Sequence, residues 1–127
     1  EAVYTGVWER LRKVKGRKAA IVFTDGIDTA SSEIDQDDTL DAVEDVQDVL
    51  VYPIRYSTRL DVERRLENRS SQLHTSGPGA HELTPQERTE ALDHTYRLAD
   101  EYLQDLADTS GGRVERADTL NDLEGAF

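Results

Sequence analysis

The sequence contains no cysteine, so a disulfide framework and a thiolate metal site are both ruled out. Long apolar runs are also lacking, and no stretch approaches the roughly 20 apolar residues that cross a bilayer. Hydrophobic residues make up 36% of the 127 residues, which is low beside the roughly 45–50% of average domains. We therefore expect one domain at most, with a modest core and no membrane span.

Basic residues are scarce as well. The chain has 15 Lys and Arg against 27 Asp and Glu, and its formal net charge is -12. Phosphate backbones and anionic membrane surfaces repel a chain of this charge. We expect no nucleic-acid partner.

One apolar run ends abruptly in polar residues. The run 19–23 leads into Thr24, Asp25, Gly26 and, a little later, Asp28. Its lack of polar interruption is typical of a parallel strand that helices cover on both faces. Ligands of such sheets bind where the strands end, so Thr24, Asp25 and Asp28 are the candidate site residues. Asp and Gly are also ordinary loop formers after a strand, and this alternative stays open.

Hydrophobic periodicity and capping signals divide most of the chain into alternating elements. Helices are predicted over 1–14, 39–47, 84–109 and from about 120, and strands over 19–23, 49–54 and 113–116. The first helix rests on Val3, Val7, Leu11 and Val14. This order predicts an α/β fold, a Rossmann-like, doubly wound parallel sheet of about three strands with flanking helices. Three strands would leave one apolar sheet edge unpaired, which suggests a missing half.

The segment 57–83 is polar and much longer than the usual connection of about 2–6 residues. We interpret it as an insertion, a mobile loop or both, with a short helix supported by Leu60, Val62 and Leu66. The pair Ser70-Ser71 and the stretch 76–79 are typical of flexible chain. His74 and His81 flank the latter and are interpreted as solvated loop residues rather than metal ligands.

Three landmarks resemble the C-terminal half of a von Willebrand factor type A domain, and in particular the VWFA-related proteins common in acidobacteria. They are Gly16-Arg17-Lys18-Ala19 followed by Val22-Phe23-Thr24-Asp25-Gly26-Ile27-Asp28-Thr29, then Val51-Tyr52-Pro53-Ile54, and finally Leu106-Ala107-Asp108-Thr109-Ser110-Gly111-Gly112-Arg113. The resemblance implies that residues 1–127 are the C-terminal part of a single domain of this type. The lack of an initiating Met agrees with a fragment or a processed piece.

Domains of this type hold a divalent cation, Mg²⁺ or Mn²⁺, at an adhesion site built from three loops, and they bind protein ligands through an acidic residue. The resemblance implies that Asp25 is the ligand from the third loop. Thr24 is the neighbour of Asp25 in the motif, and Asp28 would hold Asp25 or a bound water in place. The first two loops have no counterpart in the sequence, so this chain alone should bind metal weakly or not at all. A non-enzymatic, extracytoplasmic protein is expected.

Two other functional hypotheses stay open. An Asp at a strand end suits a phosphoryl acceptor, but the haloacid dehalogenase pattern needs Asp-x-Asp, whereas Asp25 and Asp28 are three apart. A receiver domain needs a later Lys, and none follows Lys18. The second alternative is a structural or assembly module that does not depend on metal. Such a module would associate with itself or with another chain through its exposed sheet edge.

Overall fold

The computed structural model is a mixed α/β fold and describes residues 1–27, 34–72, 84–119 and 122, with side chains up to 68 in the second range. Its elements follow the order that the sequence predicts. They are α1 (Ala2–Tyr4), a π-helix (Thr5–Arg10), a 3₁₀ turn (Leu11–Lys13), β1 (Lys18–Thr24), α2 (Gln36–Asp45), β2 (Val49–Arg55), α3 (Arg59–Gln72), α4 (Pro85–Ser110) and β3 (Glu115–Arg116). We call the first three segments together the N-terminal helix.

The strands form a small open parallel sheet in the order β1-β2-β3. β1 and β2 pair along seven residues, from Lys18 opposite Val49 to Thr24 opposite Arg55. β3 adds a pairing of only two residues to the carboxyl end of β2. The prediction of a three-stranded parallel sheet with flanking helices is confirmed.

The hydrogen bonds at the two ends of the β1–β2 ladder fix which backbone groups face which neighbour. The Lys18 amide donates to Asp48 O at 2.7 Å, and the Tyr56 amide donates to Thr24 O at 3.2 Å. In a parallel pair, alternate residues bond to the same neighbour. Even-numbered residues of β1 and β2 therefore face each other, and odd-numbered residues of β2 face the β3 side.

This ladder explains how β2, the central strand, accommodates Pro53. The missing Pro53 amide would face the β3 side, where pairing begins only at Ile54. The amide of Val51, which faces the same side, donates instead to the Ser110 hydroxyl at 2.9 Å. Pro53 thus removes no ladder bond, which is the condition for proline within a sheet.

The hydrophobic core lies on one face of the sheet. Val49 and Val51 of β2 pack there with Val7 from the N-terminal helix, Val43 from α2 and Leu106 from α4, all at most 4% exposed. Ala20 and Val22 of β1 border the same cluster. Three helical segments therefore cover the same sheet face.

The prediction that helices cover β1 on both faces is wrong for the described residues. Burial alternates along β1, and Ile21 and Phe23 remain 51% and 54% exposed. Their side chains point away from the core because successive residues of a strand point to opposite faces. A continuous apolar run does not reveal that the described helices cover only one face of the strand.

The predicted first helix is present, but not as a regular α-helix. Val7 is buried, and Val3 and Leu11 pack against the core, as the periodicity predicts. The prediction that Val14 lies on that face is wrong. Val14 is 52% exposed, and its backbone is already extended because the last helical turn ends at Lys13. Gly16 follows with φ of +87°, the left-handed conformation that glycine adopts at low cost.

The predicted insertion contains a helix of 14 residues, α3. It is longer than a short helix around Leu60 and Leu66, and it includes Ser70 and Ser71, so the prediction of flexible chain at this serine pair is wrong. Helix propensity is only slightly unfavourable for serine, and tertiary context overrides it easily. His74, His81, the stretch 76–79 and most of the predicted final helix lie outside the described residues.

The predicted start and end of the long helix α4 are confirmed. Thr84 and Glu87 form a reciprocal capping box, with Pro85 at the first helical position. Gly111 ends the helix with φ of +76°. No described helix combines the length and the apolar character needed to cross a membrane.

Candidate functional site

The site begins at the carboxyl end of β1, where two side chains fold the chain into a tight turn. The Gly26 amide donates to Thr24 Oγ1 at 3.0 Å, and the Ile27 amide donates to Asp25 Oδ1 at 3.2 Å. Gly26 has φ of +75°, and a Cβ there would lie 3.0 Å from Ala99 Cβ. The turn therefore requires glycine, and it presents Asp25 at the sheet edge.

Two further side chains are linked to the other oxygen of Asp25, the first directly and the second through the first. Thr58, just after β2, donates its hydroxyl to Asp25 Oδ2 at 2.9 Å. The same hydroxyl lies 2.9 Å from the hydroxyl of Tyr96 in α4. Because an ionised carboxylate only accepts and Thr58 has a single proton, Tyr96 must donate to Thr58. The result is a directed chain of bonds from Tyr96 through Thr58 to Asp25, which we call the edge triad.

The edge triad joins groups of different burial. Tyr96 is 4% exposed, whereas Asp25 and Thr58 are half-buried. The buried end fixes the geometry, and the carboxylate end is partly accessible to solvent. An ionised carboxylate has about four acceptor positions, and the described residues fill two of them with the bonds given above.

The loop after β3 lies at the same edge. Asp118 accepts a hydrogen bond from the Ser57 amide at 2.9 Å. Oxygen-bearing side chains thus follow all three strands, at Asp25, Thr58 and Asp118. This clustering is the arrangement expected where the carboxyl ends of parallel strands meet.

A charge network lies beneath this edge. Arg55, at the end of β2, contacts Asp100 of α4 as an ion pair without hydrogen-bond alignment. Arg116 of β3 approaches the second oxygen of Asp100 at 3.9 Å. The Arg55 side chain is only 12% exposed. One carboxylate therefore ties two strands to the helix that carries Tyr96, and this helps to hold the triad in place.

A second network attaches α3 to α4. Arg59 binds Glu63 at 2.8 Å within α3 and Asp93 of α4 at 2.6 Å. Hydrogen bonds, first to Glu63 and then to Asp93, raise the pKa of Arg59, so its charge is permanent at any working pH. Since Arg59 follows Thr58 directly, this anchor also restrains Thr58.

The structure brings together two of the three predicted site residues. Thr24 and Asp25 meet in the turn after β1, and Asp28 lies outside the described residues. Thr58 and Tyr96 were missed. Thr58 lies three residues beyond the end of β2 at Arg55, so the rule that selected Asp25, a polar residue directly after a strand, does not single it out.

The described residues hold no group of three or more His, Asp or Glu side chains suited to a metal ion. Threonine hydroxyls and waters, which Mg²⁺ also accepts as ligands, are a different donor class. Searches of protein-family models, of curated proteins and of solved structures found no match to this chain.

Proposed function

We propose that this chain is a non-enzymatic, protein-binding module of the von Willebrand factor A kind, and that its edge triad contributes to a divalent-cation site. Asp25 would be the carboxylate ligand, and Thr24 and ordered waters would supply further oxygens. A carboxylate of the partner would complete the coordination shell. The observation that carries the proposal is the half-buried Asp25 carboxylate, oriented by Thr58 and by the Ile27 amide, with acceptor positions that the described residues do not fill.

Coordination chemistry supports this assignment. Mg²⁺ needs oxygen ligands in octahedral geometry and keeps several of its waters, so one or two carboxylates suffice for a weak site. Hydrogen bonds that orient a ligating carboxylate strengthen such a site. Thr58 supplies such a bond to Asp25, and Tyr96 supplies the next one. A site with one protein carboxylate is weak until a second carboxylate arrives, which makes binding of the partner depend on the cation.

Mn²⁺ titration with NMR detection tests the proposal, because the paramagnetic ion broadens amide signals near its binding site. We expect selective broadening at Gly26, Ile27 and Thr58. The change Asp25→Asn should remove this broadening. The matched control Asp37→Asn removes an exposed carboxylate in the first turn of α2 and should leave the broadening unchanged.

Two results would overturn the cation site. One is broadening that spreads evenly over the acidic surface, which marks diffuse counterion binding. The other is selective broadening that survives Asp25→Asn. Thermal unfolding of Asp25→Asn distinguishes the roles further, since a large loss of stability would show that Asp25 serves as a turn residue.

A further inference from the structure

Basic side chains are concentrated in one short part of the chain. Residues 10–18, which we call the basic segment, contain six of the 15 basic residues, all of the lysines and no acidic residue. The segment runs from the end of the N-terminal helix to the first residue of β1. The formal net charge of the chain is -12, so the residues outside this segment carry -18. The basic segment is therefore a local exception to the charge of the chain.

The basic segment also differs from the other basic residues in its pairing. Ion pairs with Asp or Glu are formed by Arg55, Arg59, Arg64, Arg97, Arg113 and Arg116. Within the described ranges, no carboxylate pairs with any of the six basic side chains of the segment. Like charges at such short separations repel one another. An anionic partner would relieve a repulsion that the described carboxylates of the chain leave in place.

The centre of the segment combines basic and apolar side chains. The last helical turn ends at Lys13, and Val14 is extended and 52% exposed. Lys13 and Lys15, on either side of Val14, are exposed as well. The Lys18 ammonium group donates to Val14 O at 3.3 Å, which brings a third positive charge to the same residue. An exposed apolar side chain thus lies among three ammonium groups.

Arg12 adds a guanidinium group that is held in place. Its Cζ lies 4.1 Å from the centroid of the Trp8 ring. A cation–π contact restrains the guanidinium and leaves its charge intact. The N–H donors in the plane of the guanidinium still match a carboxylate. Arg12 is exposed, so a carboxylate can reach it from solvent.

We propose that the basic segment is a docking site for an acidic segment of another protein, in which carboxylates flank an apolar residue. The carboxylates would bind Arg12, Lys13 and Lys15. The apolar residue would pack against Val14. This site lies at the amino end of β1, whereas Asp25 follows the carboxyl end. Docking here therefore needs no cation.

The distribution of charge favours a short acidic segment over a nucleic acid or a membrane. Double-stranded DNA carries one negative charge per about 1.7 Å, and an anionic membrane is a continuous surface. Both extend beyond nine residues and would meet the acidic remainder of the chain. Asp48 already borders the opening beside Arg17 and Lys18. Val14 adds an apolar contact that suits a peptide side chain and is of no use to a phosphate.

The single tryptophan provides a local readout. Trp8 is the chain's one Trp and lies against Arg12, so a carboxylate on Arg12 should change its emission. The probe is a Trp-free peptide with the core Asp-Glu-Leu-Asp-Glu, titrated at low salt in EDTA so that no cation links it to Asp25. We expect a saturable change that weakens as salt is added. A peptide with Ser in place of Leu has the same charge and should bind about threefold more weakly, because the contact with Val14 is lost.

Two double variants test the assignment to the basic segment. Lys13→Gln combined with Lys15→Gln should weaken binding about three- to tenfold, as expected for the loss of two exposed ion pairs. Arg64→Gln combined with Arg65→Gln is the matched control, because it removes the same charge from exposed positions of α3. The control should change binding less than about twofold. Thermal unfolding should show that both variants keep the native fold.

Chemical acetylation gives a second test without mutation. Because all of the lysines lie in the basic segment, a lysine-directed reagent neutralises side chains there and, in addition, the amino terminus. Acetylation should weaken peptide binding at least about tenfold. The control is a chain acetylated at the amino terminus alone, which mildly acidic conditions favour because the α-amino group has the lower pKa. This control should bind as the native chain does.

Three results would overturn the proposal. The first is the lack of a saturable change in Trp8 emission. The second is an equal loss of binding in the lysine variant and the arginine control, which would mark attraction to overall charge. The third is tighter binding of a single-stranded oligonucleotide, or of phosphatidylserine vesicles, than of the peptide at the same salt concentration. None of these results bears on the cation site at Asp25, which the Mn²⁺ titration tests separately.

Discussion

The direction of the hydrogen bonds in the edge triad predicts unequal effects of removing its two hydroxyls. Tyr96→Phe removes one donor and leaves the bond from Thr58 to Asp25 intact, so we expect a cost of about 0.5–1.5 kcal/mol, that of an ordinary hydrogen bond. Thr58→Val removes the donor to Asp25 and also leaves the buried Tyr96 hydroxyl without its acceptor.

The second change should therefore cost more. An unsatisfied buried polar group costs about 1–3 kcal/mol, and a bond to a charged group contributes about 1.5–3 kcal/mol. Water can reach the half-buried Asp25 and replaces part of the lost hydrogen bond to its carboxylate. We expect about 2–3 kcal/mol for Thr58→Val. The double variant should cost less than the sum of the single changes, with a coupling of about 1 kcal/mol.

Urea unfolding of the native chain, the two single variants and the double variant at neutral pH measures this cycle. The comparison requires that the slope of the free energy of unfolding against urea concentration is the same for all four proteins. Thr95→Val is the matched control, because it removes a hydroxyl from the exposed side of α4, one residue before Tyr96. Its effect should be under about 0.5 kcal/mol. Equal costs for Thr58→Val and Tyr96→Phe, or strictly additive costs, would refute the directed chain of bonds.

Two further predictions concern the scaffold. A Cβ at Gly112 would lie 1.9 Å from Val51 O, so Gly112→Ala should destabilise the fold by about 3 kcal/mol or more in chemical unfolding. The matched control is Gly6→Ala, where a Cβ would have nothing within 4 Å; it should be neutral or stabilising by up to about 1 kcal/mol. Hydrogen bonds from the Thr84 amide and then its side chain lower the pKa of Glu87, so its contribution to stability is complete above its ordinary pKa and is lost as the pH falls below it. The melting temperature of Glu87→Gln should accordingly depend less on pH between about 5 and 3 than that of the native chain. An unchanged pH dependence would contradict this assignment.

Local chemistry accounts for the parts of the fold that the sequence predicts correctly. The capping box at Thr84 and Glu87 acts over three residues, and the left-handed turn at Gly111 acts over a single residue. Signals of this kind are complete within a short stretch of sequence. The order of strands and helices follows from periodicity over similarly short windows.

The errors arise where the outcome depends on distant residues. Ile21 is exposed because the described helices pack on the other face of β1, and no property of the run 19–23 encodes which face they cover. The edge triad joins Asp25 to Thr58 across 33 positions and Thr58 to Tyr96 across 38 positions. Tyr96 also fits the apolar stripe of α4, so its hydroxyl gave no separate signal of a polar role.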